Sequence, residues 1–113
     1  MQAYALEMAV VSLRGNKPIT MGSLYWQLND VWPVSSWSTV DYYGSYKIAQ
    51  YRIREAHEQF LVHCTHSPNT NTLKVVAVND YPSKKSIFCQ IKVMNFGGSL
   101  ILNYTVERTV NAM

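Results

Sequence analysis

The sequence predicts an α+β chain in two parts. A helix–strand–loop–helix stretch fills residues 1–60, and short antiparallel sandwich-type strands fill residues 61–113. Three observations predict this. Apolar residues recur at helical spacing on either side of an aromatic segment, the period shifts towards alternation near Phe60, and turn-forming residues then punctuate short β-type runs.

From Gln2 to about Gly15, Ala3, Leu6, Val10 and Leu13 recur at spacings of three, four and three, one stripe of an amphipathic helix. Gly15-Asn16 supplies its stop, and Lys17-Pro18 does not readily continue it. Ile19–Leu28 is rich in β-formers and bounded by Pro18 and Asn29-Asp30, so it reads as a buried strand. Asn29–Gly44 holds four aromatics, four Ser/Thr and one proline without a sustained period, the pattern of a long, ordered loop. Helical spacing resumes over Ser45–Phe60, with Tyr46, Ala49, Ile53, Ala56 and Phe60 on one face and Arg54/Glu58 as an i,i+4 pair. Strands are then expected over Leu61–His66, Leu73–Asn79, Ser86–Asn95 and Ser99–Glu107. Turns at Ser67-Pro68-Asn69, Asn79–Ser83 and Phe96-Gly97-Gly98 separate them.

Composition excludes several classes. With 113 residues, 48% hydrophobic and 15% charged, the chain is neither disordered, collagen-like nor coiled coil. No apolar run approaches the roughly 18–20 residues that cross a bilayer, and the N-terminus lacks a signal-peptide pattern, so a soluble, untargeted chain without a membrane partner is expected. The net charge of +3 is scattered, so no nucleic-acid partner is expected. Cys64 and Cys89 read either as a strand-bridging disulfide or as two small buried hydrophobes. His57, His63, Cys64 and His66 do not complete a four-ligand set, because strand neighbours face opposite ways. There is no glycine-rich phosphate loop either, so neither metal nor cofactor is expected.

Neither part looks complete. One buried strand between two helices needs parallel neighbours, and an immunoglobulin-like sandwich needs about seven strands where the second part offers four. The chain therefore reads as a piece spanning a domain junction in something larger, which predicts exposed apolar surface.

Aromatic residues are concentrated. Tyr25, Trp26, Trp32, Trp37, Tyr42, Tyr43, Tyr46 and Tyr51 account for eight of the fourteen in the chain. Three readings compete for them. An indole at a strand end beside Gln27, Asn29 and Asp30 suits a sugar site, the ring covering a pyranose face while the polar groups meet its hydroxyls. A non-catalytic carbohydrate- or protein-binding patch is the second. The third is hydrophobic filling under a long loop. Catalysis within the chain is not supported: glycoside hydrolysis usually takes two carboxylates, about 5–5.5 Å apart in retaining enzymes. The segment offers only Asp30 and Asp41, the latter in a position suited to a turn.

The run Met21-Gly22-Ser23-Leu24-Tyr25-Trp26-Gln27-Leu28-Asn29-Asp30-Val31-Trp32-Pro33, continued by Ser36-Trp37-Ser38-Thr39-Val40-Asp41-Tyr42-Tyr43-Gly44, closely resembles the β-mannosidases of glycoside hydrolase family 2. The resemblance covers roughly residues 2–60; residues 61–113 resemble, in pattern only, the start of the immunoglobulin-like domain that follows the barrel. It implies that the strand is the last of a (β/α)8 barrel, flanked by its seventh and eighth helices. It also implies a parent that releases mannose from non-reducing ends of β-mannosides with retention. By position, Trp26 matches the tryptophan flooring the mannose subsite, and Asn29, Asp30 and Trp32 match the loop beside it, with a supporting or substrate-lining role. The two catalytic glutamates of the family fall upstream of residue 1. A fragment supplying part of a sugar site to the remainder of a parent barrel is thus expected, with no catalytic residue of its own. The alternative is a self-contained carbohydrate-binding or interaction module.

Overall fold

The computed structural model describes residues 1–67 and 69–112. Two helices precede four strands: α1 (Gln2–Arg14), α2 (Ile48–Ala56), β1 (Phe60–Ser67), β2 (Thr72–Asn79), β3 (Lys85–Met94) and β4 (Leu100–Val110). The chain divides between Val78 and Asn79 into two compact units. The shift of periodicity near Phe60 and this break in packing are different boundaries.

In the first unit α1 packs on α2. Val10, Val11 and Ala56 form the buried cluster, with Leu61 of β1 partly buried against it. Full burial of a valine side chain stabilises by roughly 1.5–3 kcal/mol, so this small cluster contributes much of the apolar stabilisation of the unit. The inward face of α1 is Val10, Val11 and Arg14, whereas Leu13, expected on that face, is exposed. Arg14 takes the inward place because its guanidinium donates to the carbonyls of Ala56 and Glu58 (2.7 Å for the latter), at the C-terminus of α2. A buried cation meeting helix-end carbonyls satisfies both partners.

Helix α2 is shorter than its apolar spacing suggests. Ala49, Ile53 and Ala56 are its buried face, as expected, but Tyr46 precedes the helix and Phe60 opens β1. Glu58 lies beyond the last turn, so the expected i,i+4 relation to Arg54 does not form. Arg52 instead pairs with Glu55 at 3.3 Å and Glu7 at 3.9 Å.

The expected strand over Ile19–Leu28 is not one. A turn continues from Gly15 to Thr20, and the following segment is irregular, with Ile19, Met21, Leu24 and Leu28 exposed. Among the described residues it has no ladder partner, so neither hydrogen bonds nor a covering face fix a pleat. Only its end is paired, Gln27 and Leu28 carbonyls accepting from the Thr39 and Val40 amides.

Strands β1 and β2 are hydrogen-bonded neighbours. Pro68, in the turn expected between them, lies outside the described residues; Asn71 there takes a positive φ of 49°, which asparagine tolerates better than most residues. In the second unit β3 and β4 pair antiparallel, Lys85 opposite Val110 and Cys89 opposite Val106. Their turn is closed by Asn95, whose side-chain oxygen accepts from the Ser99 amide at 2.8 Å, with Gly98 at φ +83° supplying the left-handed step. Asn79 opens this unit, its amide donating to the carbonyls of Ser83 (2.9 Å) and Asn111 (3.1 Å). The four expected strands are thus present within a residue or so at most ends. Both cysteines are free; Cys64 is exposed and Cys89 half-buried, so neither expected reading of them holds. Each stands on a strand whose side chains alternate between two incompletely covered faces. Among the described residues no helix is long and apolar enough to cross a membrane.

Gly15 allows α1 and β2 to approach. A Cβ there would stand 2.9 Å from Val76 Cγ1 and 3.2 Å from the Val11 carbonyl. Its backbone is ordinary right-handed helix, so space rather than φ selects glycine. Gly15→Ala is expected to destabilise the chain by about 1 kcal/mol. Adding Val76→Ala should make the alanine at position 15 cost nothing further. Urea unfolding checks this; strictly additive losses would show that the two positions do not meet.

Candidate functional site

Residues 26–47 form an irregular segment organised by a few main-chain bonds. Val40 bridges Asn29 in parallel and Tyr46 antiparallel. The Asp30 amide donates to the Val40 carbonyl at 3.1 Å, and the Lys47 amide to the Thr39 carbonyl at 2.9 Å. The fully buried Thr39 hydroxyl lies within hydrogen-bond reach of the Leu28 carbonyl (3.1 Å) and Gln50 Oε1 (2.5 Å). From α1, Gln2 Nε2 donates to the carbonyls of Trp37 (2.6 Å) and Ser38 (3.1 Å). Asp41 is a turn residue, as its position suggests: its Oδ1 accepts from the amides of Tyr43 (2.9 Å) and Ser45 (2.8 Å), ahead of Gly44 at φ +85°.

The four site residues expected from the sequence fall into two groups. Trp26, 74% exposed, and Trp32, 62% exposed, present their rings outward, and Asn29 is also exposed. The Trp26–Gln27 peptide bond is cis. Asp30 is 3% exposed and turned inward. Its Oδ1 accepts from the Ser36 hydroxyl, and its Oδ2 from the Ser38 hydroxyl (2.7 Å) and Lys47 Nζ (3.2 Å). Lys47 Nζ also donates to Ser38 Oγ at 2.7 Å, and Ser36 Oγ accepts from the Ser38 amide at 3.0 Å. Every member of the cluster is satisfied, which is what lets a carboxylate stay charged out of water.

Sequence reasoning missed Ser36, Ser38 and Lys47. A signal was present: Lys47 is the sole Lys or Arg between Lys17 and Arg52, in a stretch with only two carboxylates. An open hollow of about 350 Å³ lies beside the cluster, lined by Gln2, Ser35, Ser36 and Trp37. None of the four expected site residues lines it. The arrangement offers exposed indole faces, suited to stacking on an apolar ligand surface. Its carboxylate is already occupied and so is no general acid or base. Among the described residues no group of three or more His, Cys, Asp or Glu is placed to hold a metal ion.

No model of a known protein family matches the chain. Individual proteins do. A probable β-mannosidase of Caenorhabditis elegans is 34% identical over 82 residues, 72% of this chain and 9% of that protein. A β-mannosidase of Capra hircus is 35% identical over 74 residues, 66% of this chain and 8% of that protein. The crystal structure of a β-D-mannosidase from Dictyoglomus thermophilum superimposes with a TM-score of 0.84 at 33% identity, covering 97% of this chain and 13% of that one. The chain thus has β-mannosidase homologues and shares the local fold of one, and it spans about a tenth of the length of the curated relatives it matches.

The Ser36 and Ser38 hydroxyls foremost, and then Lys47, hold the Asp30 carboxyl below its ordinary value of 3.8, while burial acts the other way. A carboxyl lowered on folding contributes stability that is full above the unfolded value and is lost as pH falls through the folded one. Acid unfolding followed by tryptophan fluorescence should therefore show a loss of stability below about pH 4. Asp30→Asn should be less stable at neutral pH and lose less on acidification. Parallel acid profiles for the two proteins would contradict the assignment.

Proposed function

We propose that the chain is a segment of a β-mannosidase of glycoside hydrolase family 2, an enzyme that hydrolyses terminal non-reducing β-D-mannose from β-mannosides with retention. The observation that carries this is the superposition on the Dictyoglomus enzyme over 97% of the chain at 33% identity. On this reading residues 1–60 end a (β/α)8 barrel and residues 61–113 begin an immunoglobulin-like domain. The apolar Ile19–Leu28 segment is then the last barrel strand, which gains its ladder partners from the remainder of the parent. Its exposed Leu24 and Leu28, and the lack of a ladder partner among the described residues, support that placement.

Trp26 forms the floor of the mannose subsite, stacking its ring on the sugar, with Asn29 and Trp32 beside it. Asp30 supports them from within. The acid/base and nucleophilic glutamates belong to other parts of the parent. The substrate is a β-mannoside, with no cofactor, nucleic acid or membrane partner.

The test splices this chain into the Dictyoglomus enzyme in place of the matching segment. The chimera is expected to hydrolyse an aryl β-mannoside, and the isolated 113-residue chain is not. Trp26→Ala should lower kcat/KM of the chimera by roughly 10- to 100-fold, since a stacking platform acts mainly on the distorted sugar of the transition state. A folded chimera without β-mannosidase activity would overturn the reading, and turnover by the isolated chain would overturn the placement of the glutamates.

A further inference from the structure

The loop between Asp30 and Ser38 is held in an unusual way. Val31, Trp32, Pro33, Val34, Ser35 and Trp37 are all exposed, and Ser36 is only half-buried. Apolar burial therefore does not fix this loop, although four of those side chains are large and hydrophobic. Its two ends are among the most buried residues of the chain, Asp30 at 3% and Ser38 at 0%. They meet through the carboxylate: Asp30 from one end, the Ser36 and Ser38 hydroxyls from the other, and the Lys47 ammonium from the approach to α2. Lys47 also donates to the Ser36 carbonyl at 3.5 Å, so one cation holds side chain and main chain of the returning arm. Three tethers converge on one charged group at the base, and the indoles of Trp32 and Trp37 ride on the span above it.

We propose that Asp30 and Lys47 form an ionic latch that sets the aromatic loop, which makes Asp30 a positioning residue and not a sugar ligand. Both carboxylate oxygens already accept hydrogen bonds, and the side chain is 1% exposed, so a sugar hydroxyl does not reach it. Removing its charge leaves the half-buried Lys47 ammonium facing the Ser38 hydroxyl and the Ser36 carbonyl with no counter-charge. The returning arm of the loop then loses its anchor, while the α1–α2 packing, built from Val10, Val11 and Ala56, keeps its contacts. The effect on sugar binding passes through Trp32, and that part rests on the β-mannosidase reading; the latch itself does not.

Two measurements test it. In the 113-residue chain, chymotrypsin cleavage at Trp37–Ser38 requires the loop to open, because Ser38 is buried, whereas cleavage at Tyr51–Arg52 requires α2 to open. Asp30→Asn and Lys47→Met should each speed cleavage at Trp37–Ser38 about tenfold or more relative to Tyr51–Arg52, as expected for local opening. Lys47→Arg, which keeps the charge, should stay near the native ratio. An equal rise at both bonds, or no rise, overturns the latch. Should Asp30→Asn fail to fold, the Lys47→Met and Lys47→Arg pair decides the matter by the same ratio.

In the chimeric enzyme, Asp30→Asn is expected to raise KM about fivefold with a smaller effect on kcat, and to add nothing once Trp32 is alanine. Additive effects of the two substitutions overturn positioning through Trp32. A chimera inactive before any substitution overturns the β-mannosidase reading instead, and the cleavage ratio still decides the latch.

Discussion

A carboxylate that has left water governs the architecture of residues 28–47. Asp30 is buried, and a buried charge is tolerated only where donors replace its hydration. Meeting that demand fixes several things at once. Ser36 and Ser38 stand two residues apart so that both hydroxyls reach the two oxygens. Thr39, adjacent to them, is carried into the interior and joins Leu28 to Gln50. Lys47 is held in extended backbone with its ammonium towards Asp30, and α2 starts only at Ile48. The course of the aromatic segment and the start of the second helix both follow from one satisfied charge.

A second polar contact plays the corresponding part at the other end of α2. Arg14 closes the last turn of α1 and donates to carbonyls at the end of α2, so the two helices are joined by charge as well as by valine. Both contacts matter because the apolar cluster is small. Among the described residues the buried hydrophobics of the first unit are Val10, Val11, Ala49, Ile53, Ala56 and Val78, while large aromatic and aliphatic side chains stand in solvent. In the second unit a two-stranded sheet exposes Phe88, Leu100, Ile101 and Tyr104. Two-stranded sheets are marginal without further strands or a covering layer. The β-mannosidase reading supplies such a layer for both units, from the remainder of a chain about ten times as long as the matched part.

Much of the secondary structure was legible because it rests on local chemistry. Helical spacing located α1, and β-type runs bounded by Asn, Gly and Pro, three of them alternating, located all four strands. Asp41 was readable as a turn residue, since an Asx side chain bonds amides two and four residues on. Reading failed where a partner lay far along the chain. Leu13 and Arg14 are equally plausible on the inner face until the carbonyls of Ala56 and Glu58 select the arginine. Ile19–Leu28 has the composition of a buried strand, but composition does not provide a neighbour. Cys64 and Cys89 carried no signal separating a bond, a core position or the free, incompletely buried thiols observed.

The candidate site divides in the same way. The cluster of tryptophans, their position after an apolar run and the neighbouring polar residues are features of order along the chain, and so is the resemblance to β-mannosidases. The direction in which Asp30 points is not. A carboxylate next to an exposed tryptophan is equally suited to a sugar hydroxyl or to an internal ammonium, and Lys47 lies seventeen residues away. Periodicity and turn chemistry act between near neighbours, so the order of residues alone settled α1, the core of α2, the four strands after residue 60 and the aromatic segment. Charge neutralisation and close packing act between residues brought together by folding, so the inward Asp30, the inward Arg14 and the irregular Ile19–Leu28 segment emerged only in three dimensions.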